Sequence, residues 1–342
     1  MSEYGFQSFP ELNTVLKYAP EDQLELESKI MLAHQKNGRG NQLIKEYMGQ
    51  YLPEPRDFKS FLYMSQILQA QAIQTAIEAH RRHKPYCMGT LYWQINDCWP
   101  VASWAGMDYY GRWKALQYTV RRSFRDVLMS IVGTHDSGVY KDDSHGGDSH
   151  GGGSRDEELH EGEAGPEVAI HIISDRQYSA EGVLKLMLYD FSGQLLYESV
   201  RNVTIGANVA EEALTIRAKE LLGDHDPKNV VLLAKLEQDD IELDSKHYYF
   251  ESLREISWPQ PTIMVEEVAG SDGTTFTLKT DALARQVWLS AEEEGIFSDN
   301  FFDLIPGIPY TVSFRRRSSG EEAFIPGKPG ALAVRSMKDF II

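Results

Sequence analysis

The 342-residue sequence predicts an α/β segment followed by two all-β domains. Three observations carry that reading. Apolar residues recur at helical spacing over 57–83, a continuous apolar run follows at 86–97, and beyond residue 124 short runs of Val, Leu, Ile, Tyr and Phe alternate with turn residues. The length suffices for two or three domains with their own cores, and 42 % apolar residues is an ordinary globular value.

In chain order, the first helix signal is the strongest. Phe58, Phe61, Leu62, Leu68, Ala72, Ile73, Ala76, Ile77 and His80 follow the three-four period of a helix burying one stripe, and Pro53 and Pro55 set its start at Asp57. The basic stretch His80 to Lys84 and then Pro85 end it. "YCMGTLYWQIND" is too short for another long helix and reads as a strand buried on both faces, while 111–123 is again helical by period. Helix, strand, helix is the order of an α/β unit. From 124 onward the runs "DVLMSIV", "EVAIHIIS", "GVLKLMLYD", "QLLYESV", "NVVLLAKLE" and "HYYFES" predict one β-sandwich. After Trp258-Pro259-Gln260-Pro261, "TIMVEEV", "TFTLKT", "QVWLSAE", "YTVSFRR" and "LAVRSMKDFII" predict a second. The domains expected are therefore 1–123, 124–258 and 259–342.

The segment 134–166 is low in complexity and repeats "DSHGG" in tandem. With strand-like runs on both sides, it reads as a long disordered loop inside the first sandwich. Its histidines, His135, His145, His150 and His160, have the flexible spacing of a solvated spacer rather than of a metal site.

Charge narrows the ligand. With 51 acidic and 34 basic residues the net charge is −17, which argues against nucleic acid and favours a neutral or cationic ligand. The two cysteines, Cys87 and Cys98, lie in apolar sequence and read as buried free thiols. No run approaches the roughly 20 apolar residues of a membrane span. The first 30 residues lack a signal-peptide pattern, so residue 1 as a true start would imply the cytoplasm.

Two stretches carry the chemistry. One is "MSEYGFQSFP", which places Glu3 among aromatic residues. The other is 89–118, with Trp93, Trp99, Trp104 and Trp113, and with Asn96-Asp97 at the C-terminal end of the expected strand, where parallel α/β folds bind ligands. Trp99 and Trp113 read as packing residues and Trp93 as a pocket residue; indoles with few charges suit a sugar ring better than a phosphate. There is no CxxC, HExxH, GxSxG or glycine-rich phosphate loop. The two-carboxylate logic of glycoside hydrolysis remains, and it requires no metal or cofactor.

"SEYGFQSFP", the long helix, "YWQINDCWPVASWAGMDYYGRWKALQY" and "FSDNFFDLIPG" together resemble the C-terminal part of the β-mannosidases of glycoside hydrolase family 2, over most of the chain apart from 134–166. The resemblance implies the end of a (β/α)₈ TIM barrel, comprising the end of strand seven, strand eight and their helices, followed by two immunoglobulin-like β-sandwiches. It maps the nucleophile onto Glu3 and the tryptophan of the mannose subsite onto Trp93. Tyr4, Asn96 and Asp97 join the candidate substrate-binding set, Tyr4 either shaping the nucleophile's surroundings or packing, and Asn96 and Asp97 orienting the strand-end loop.

A whole barrel takes about 250 residues, and the family's acid/base is a Glu preceded by Asn, a dipeptide absent from these 342 residues. The expectation is a C-terminal fragment of a retaining exo-β-mannosidase, inactive alone, whose partners are a β-mannoside or manno-oligosaccharide and the missing N-terminal part. Neither nucleic acid nor a membrane is an expected partner. Periplasmic, secreted and lysosomal placements all fit the family, any signal peptide lying upstream of residue 1. Two alternatives stay open: another family 2 exo-β-glycosidase such as a glucuronidase or galactosidase, and a non-catalytic carbohydrate-binding fragment.

Overall fold

The computed structural model of the protein describes residues 1–133, 165–271, 273–317 and 324–342. The loop expected at 134–166, apart from its last two residues, and its four histidines lie outside the described residues. The first 123 residues carry helices α1 (Leu12–Val15), α2 (Lys29–Ala33), α3 (Gly40–Tyr51), α4 (Phe58–Arg82) and α5 (Ala115–Ser123). Helix α4 begins where the sequence places it, because the Asp57 carboxylate caps its first turn by accepting from the Ser60 amide at 2.7 Å.

The burial of α4 differs from the single stripe its period predicts. Residues 60–70 are buried all round, because the helix lies between two layers. One side packs on Phe9 and Met31. The other meets the last sandwich, where Tyr63 stacks on Phe340 at 3.9 Å and on Phe301 at 6.0 Å. A helix covered on both sides needs apolar residues around its girth, and "FLYMSQIL" supplies them.

The run 86–97 is not the buried strand the sequence predicts. It is extended, but Tyr86 is 96 % exposed, Leu91 67 % and Ile95 55 %. Burial on both faces requires neighbouring strands and covering layers. Here the run pairs with residues 1–4, through the parallel bridge Tyr4–Tyr92, and near its end with residues 104–107, but one of its faces is open. Cys87 and Cys98 are free, as expected, yet Cys98 is exposed and Cys87 half-buried, since both flank this open segment.

The first sandwich is built from β1 (Val127–Gly133), β2 (Glu167–Ser174), β3 (Ala180–Asp190), β4 (Leu195–Ile205), β5 (Ala210–Arg217), α6 (Ala218–Leu222), β6 (Val230–Gln238) and β7 (Ile241–Tyr248). Its antiparallel sheets run β1-β2-β5 and β4-β3-β6-β7 and enclose Met129, Ile170, Leu186 and Leu232. The second holds β8 (Ile263–Gly270), β9 (Gly273–Thr280), β10 (Ala284–Ala291), β11 (Gly295–Phe297), β12 (Phe302–Leu304), β13 (Tyr310–Arg317), β14 (Phe324–Pro326) and β15 (Leu332–Arg335) around Phe276, Leu289 and Phe314. Strand β5 escaped the sequence because it is a sheet edge with Glu211 and Glu212 exposed, which breaks the apolar pattern.

Both sandwiches are fixed to the helical segment by ion pairs and hydrogen bonds. Glu78 of α4 pairs with Lys246 of β7 at 2.6 Å and accepts from Ser130 of β1 at 2.9 Å. Arg81 donates to the Ser123 carbonyl at 2.5 Å and pairs with Asp175 at 2.9 Å. In "FSDNFFDLIPG" every polar residue after the serine is a clamp. Asp299 accepts from Tyr310 at 2.6 Å and pairs with Arg122 of α5. Asn300 bonds both the amide and the carbonyl of Leu289 at 2.8 Å, and Asp303 pairs with the buried Arg285 at 2.9 Å. That motif therefore marks how the last domain docks, not a binding surface.

Candidate active site

Glu3 and Trp93 come together through strand pairing. The Trp93 amide donates to the Tyr4 carbonyl at 2.7 Å and the Leu91 amide to the Met1 carbonyl at 3.2 Å, so the two segments run side by side and parallel. Tyr4, Phe6 and Tyr92 all pack onto Ile73, Ile77, Leu116 and Val120 of α4 and α5. Side chains alternate along extended chain, so Glu3, with Leu91 and Trp93, faces the opposite side. That side is open: Glu3 is exposed and Trp93 is 49 % exposed. The peptide joining Trp93 to Gln94 is cis.

Gly5 is required by close approach. A Cβ there would stand 2.5 Å from the Trp93 carbonyl oxygen and 2.8 Å from the Trp104 ring, so backbone and indole press directly on the segment that carries Glu3. Beyond it, the buried Gln69 of α4 accepts from the Ser8 hydroxyl and donates to the Phe6 carbonyl, both at 2.7 Å. The Phe9 amide donates to Ser65 at 3.1 Å. Glu3 thus leaves a segment whose downstream half is pinned to the long helix.

The other predicted residues have different partners. Tyr4 turns its ring to α4, edge-on to His80 at 5.0 Å, and its hydroxyl accepts from Thr90 at 2.7 Å; burial raises its pKa. Asn96 is exposed and its carbonyl accepts from Gln94 at 2.7 Å. Asp97 is buried, pairs with Lys36 at 2.8 Å and accepts from Ser103 at 2.5 Å. It clamps the loop after the strand end and does not reach the open face. Trp113 packs in the core as expected, whereas Trp99 stays 36 % exposed.

Sequence reasoning missed Lys114, which is 1 % exposed and lies under the same loop. Its ammonium donates to the Ser8 carbonyl at 3.4 Å and has no carboxylate within ion-pair distance among the described residues. Burial pushes its pKa down to about 7, against the opposing fields of Asp97 and Asp108. A lysine in "GRWKALQY" gives no sequence signal of burial, because the surrounding apolar period does not place it in the stripe.

The sign of its effect follows. The unfolded chain keeps this proton up to about pH 10.4, the folded chain only to about 7, so the cost of burying the charge is present below pH 7 and disappears as pH rises from there toward 10. Lys114→Met is therefore expected to raise the melting temperature at pH 6 and to change it little at pH 9.5. Calorimetry at the two pH values checks this.

Among the described residues no group of three or more His, Cys, Asp or Glu is placed to hold a metal, and no helix is long and apolar enough to cross a membrane. Residues 167–255 match the family described as a mannosidase Ig/CBM-like domain, and residues 258–340 match an Ig-fold domain family of mannosidases. The chain is 37 % identical over 153 residues to β-mannosidase of Rattus norvegicus, covering 41 % of this chain and 17 % of that one. To β-mannosidase B of Aspergillus niger it is 27 % identical over 330 residues, 91 % of this chain and 36 % of the relative. The crystal structure of β-D-mannosidase from Dictyoglomus thermophilum superposes with a TM-score of 0.78 at 24 % identity, over 98 % of this chain and 37 % of that one, and shares its fold. The chain thus spans from about a sixth to little more than a third of these relatives. Along its length it is similar to the C-terminal part of the β-mannosidases of glycoside hydrolase family 2.

Proposed function

We propose that this chain supplies the nucleophile side of the active site of a retaining exo-β-mannosidase acting on terminal non-reducing β-D-mannose residues. The observation that carries the reading is the pairing of Glu3 and Trp93 on adjacent parallel segments, side by side on one open face. A carboxylate beside an indole suits a pyranose: the indole takes the apolar face of the ring while the carboxylate lies against the anomeric carbon. The choice of mannose is supported by the names of the relatives and of the matched domains.

In the reaction, a Glu3 oxygen attacks the anomeric carbon as the bond to the aglycone oxygen breaks, and that oxygen takes a proton from a second carboxyl group. Water, deprotonated by the same second group, then displaces Glu3 and releases mannose with its configuration retained. The second carboxyl must lie about 5 to 5.5 Å from Glu3. In the family resemblance it follows an asparagine, and no Asn-Glu dipeptide occurs in the sequence. The open face bearing Leu91, Trp93 and Ile95 is the surface that the remaining barrel strands would cover.

The purified chain is accordingly expected to release no 4-nitrophenol from 4-nitrophenyl β-D-mannoside above the buffer rate. Turnover that Glu3→Gln abolishes in the chain alone would contradict the half-site reading.

A further inference from the structure

Three aromatic rings stand in line on the connections that follow the Glu3 and Trp93 segments. The rings of Tyr18 and His34 lie 3.9 Å apart and within 4° of parallel, and the indole of Trp99 follows 5.3 Å from His34 at a tilt of 35°. The arrangement is fixed at both ends. His34 Nδ1 donates to the Pro100 carbonyl at 2.6 Å, the Ala102 amide donates to the His34 carbonyl at 2.9 Å, and the neighbouring Asp97 is held by Lys36 and Ser103. Even so, Trp99 is left 36 % exposed at the end of the stack.

Topology puts this stack at the ligand-binding end. Tyr18 and His34 belong to the connection that follows the Glu3 segment, and Trp99 to the one that follows the Trp93 segment. In a barrel both connections rise from the C-terminal face. Six residues separate Trp93 from Trp99, so their Cα atoms are at most roughly 20 Å apart. That is within the span of a short oligosaccharide.

We infer that Trp99 is a second sugar platform, receiving a neutral pyranose on the aglycone side of the residue held at Trp93. Its identity as mannose rests on the reading given under Proposed function. The indole presents its electron-rich face to the polarised C–H groups of a sugar ring. Asp97, two residues before Trp99, is already paired with Lys36, so the platform carries no uncompensated charge from that carboxylate. Because His34 and Tyr18 hold the ring from behind, little side-chain freedom remains to be lost on binding.

Saturation-transfer NMR on the 342-residue chain, with β-1,4-mannotriose as probe, tests this. Transfer is expected with the unaltered chain, a fall of about fivefold or more with Trp99→Ala, and retention of most of it with Trp99→Phe. Trp99→Leu, which keeps apolar bulk without a ring, serves if the alanine variant fails to fold, and is expected to fall likewise. Unchanged transfer in a folded Trp99→Ala or Trp99→Leu chain, or none with the unaltered chain, overturns the platform. Equal transfer to cellotriose, lost in Trp99→Ala, supports the platform and tells instead against mannose as its sugar.

Discussion

Asp303→Ala is expected to destabilise the chain by about 3 to 5 kcal/mol. The carboxylate is buried and fully used: it accepts from Arg285 at 2.9 Å, from the Gln286 amide at 2.8 Å and from Tyr249 at 2.8 Å. Removing it strands the Arg285 guanidinium, itself buried, over the rings of Tyr249 at 4.5 Å and Trp258 at 5.5 Å. A buried charge left without its partner costs far more than the pair gains. Replacing both, Arg285→Met with Asp303→Leu, should therefore recover much of the loss. Guanidinium denaturation followed by tryptophan fluorescence separates the cases, and a loss below about 1 kcal/mol for the single variant would mean that water reaches the site.

The same pair gives an acid limit. Burial alone would raise the Asp303 pKa, but Arg285, His247, the Gln286 amide and Tyr249 outweigh it and hold the carboxyl below its ordinary value. Its folded pKa is depressed, so its contribution is present above the unfolded value near 4 and is lost as pH falls through the folded one. Asp303→Ala should consequently cost less at pH 3 than at pH 7.

The largest expected effect on activity concerns Glu3, in an enzyme that carries this chain joined to the preceding part of a β-mannosidase. Glu3→Ala should lower kcat/KM by roughly three orders of magnitude or more, as removal of a covalent nucleophile does. Azide should restore turnover, because a small anion fits the space vacated by the carboxylate and attacks from the same side. The product should then be α-mannosyl azide, inverted relative to the β-linked substrate, since only one displacement occurs. Asp97→Asn should fall much less, because Asp97 holds Lys36 and Ser103 under the loop and does not reach the open face. An azide product with retained configuration, or full activity in Glu3→Ala, would rule out this role.

Much of the architecture was legible in the sequence. The period over 57–83 and the cap at Asp57 gave α4, and alternating β-branched runs gave most strands of both sandwiches. What escaped were features decided by the far side of a contact. Residues 60–70 of α4 are buried all round because the last sandwich lies on their outer face, which the helix's own period cannot show. The run 86–97 has the composition of a buried strand, but burial depends on covering layers, and although it pairs with residues 1–4 and 104–107, one of its faces is left uncovered. For the candidate site, the motifs single out Glu3 and Trp93, and the structure places the two on paired segments. For Tyr4 the motif left shaping the nucleophile's surroundings and packing both open, and its ring packs on α4, while Asp97 bonds Lys36 and Ser103 under the strand-end loop. Lys114 and the Tyr18–His34–Trp99 stack left no trace in local composition, because each joins segments far apart in the chain.

The central claim is that Glu3 is the nucleophile, and trapping its covalent intermediate tests it most directly. In 2-deoxy-2-fluoro-β-D-mannosyl fluoride, the fluorine at the 2-position slows both steps by opposing positive charge in the transition state. The fluoride leaving group departs without acid assistance, so the glycosyl-enzyme accumulates. Peptide mapping of the joined enzyme by mass spectrometry should find the added fluoromannosyl mass on the peptide containing Glu3, and none in Glu3→Gln. Label on a different carboxylate, or undiminished labelling of Glu3→Gln, would contradict the assignment.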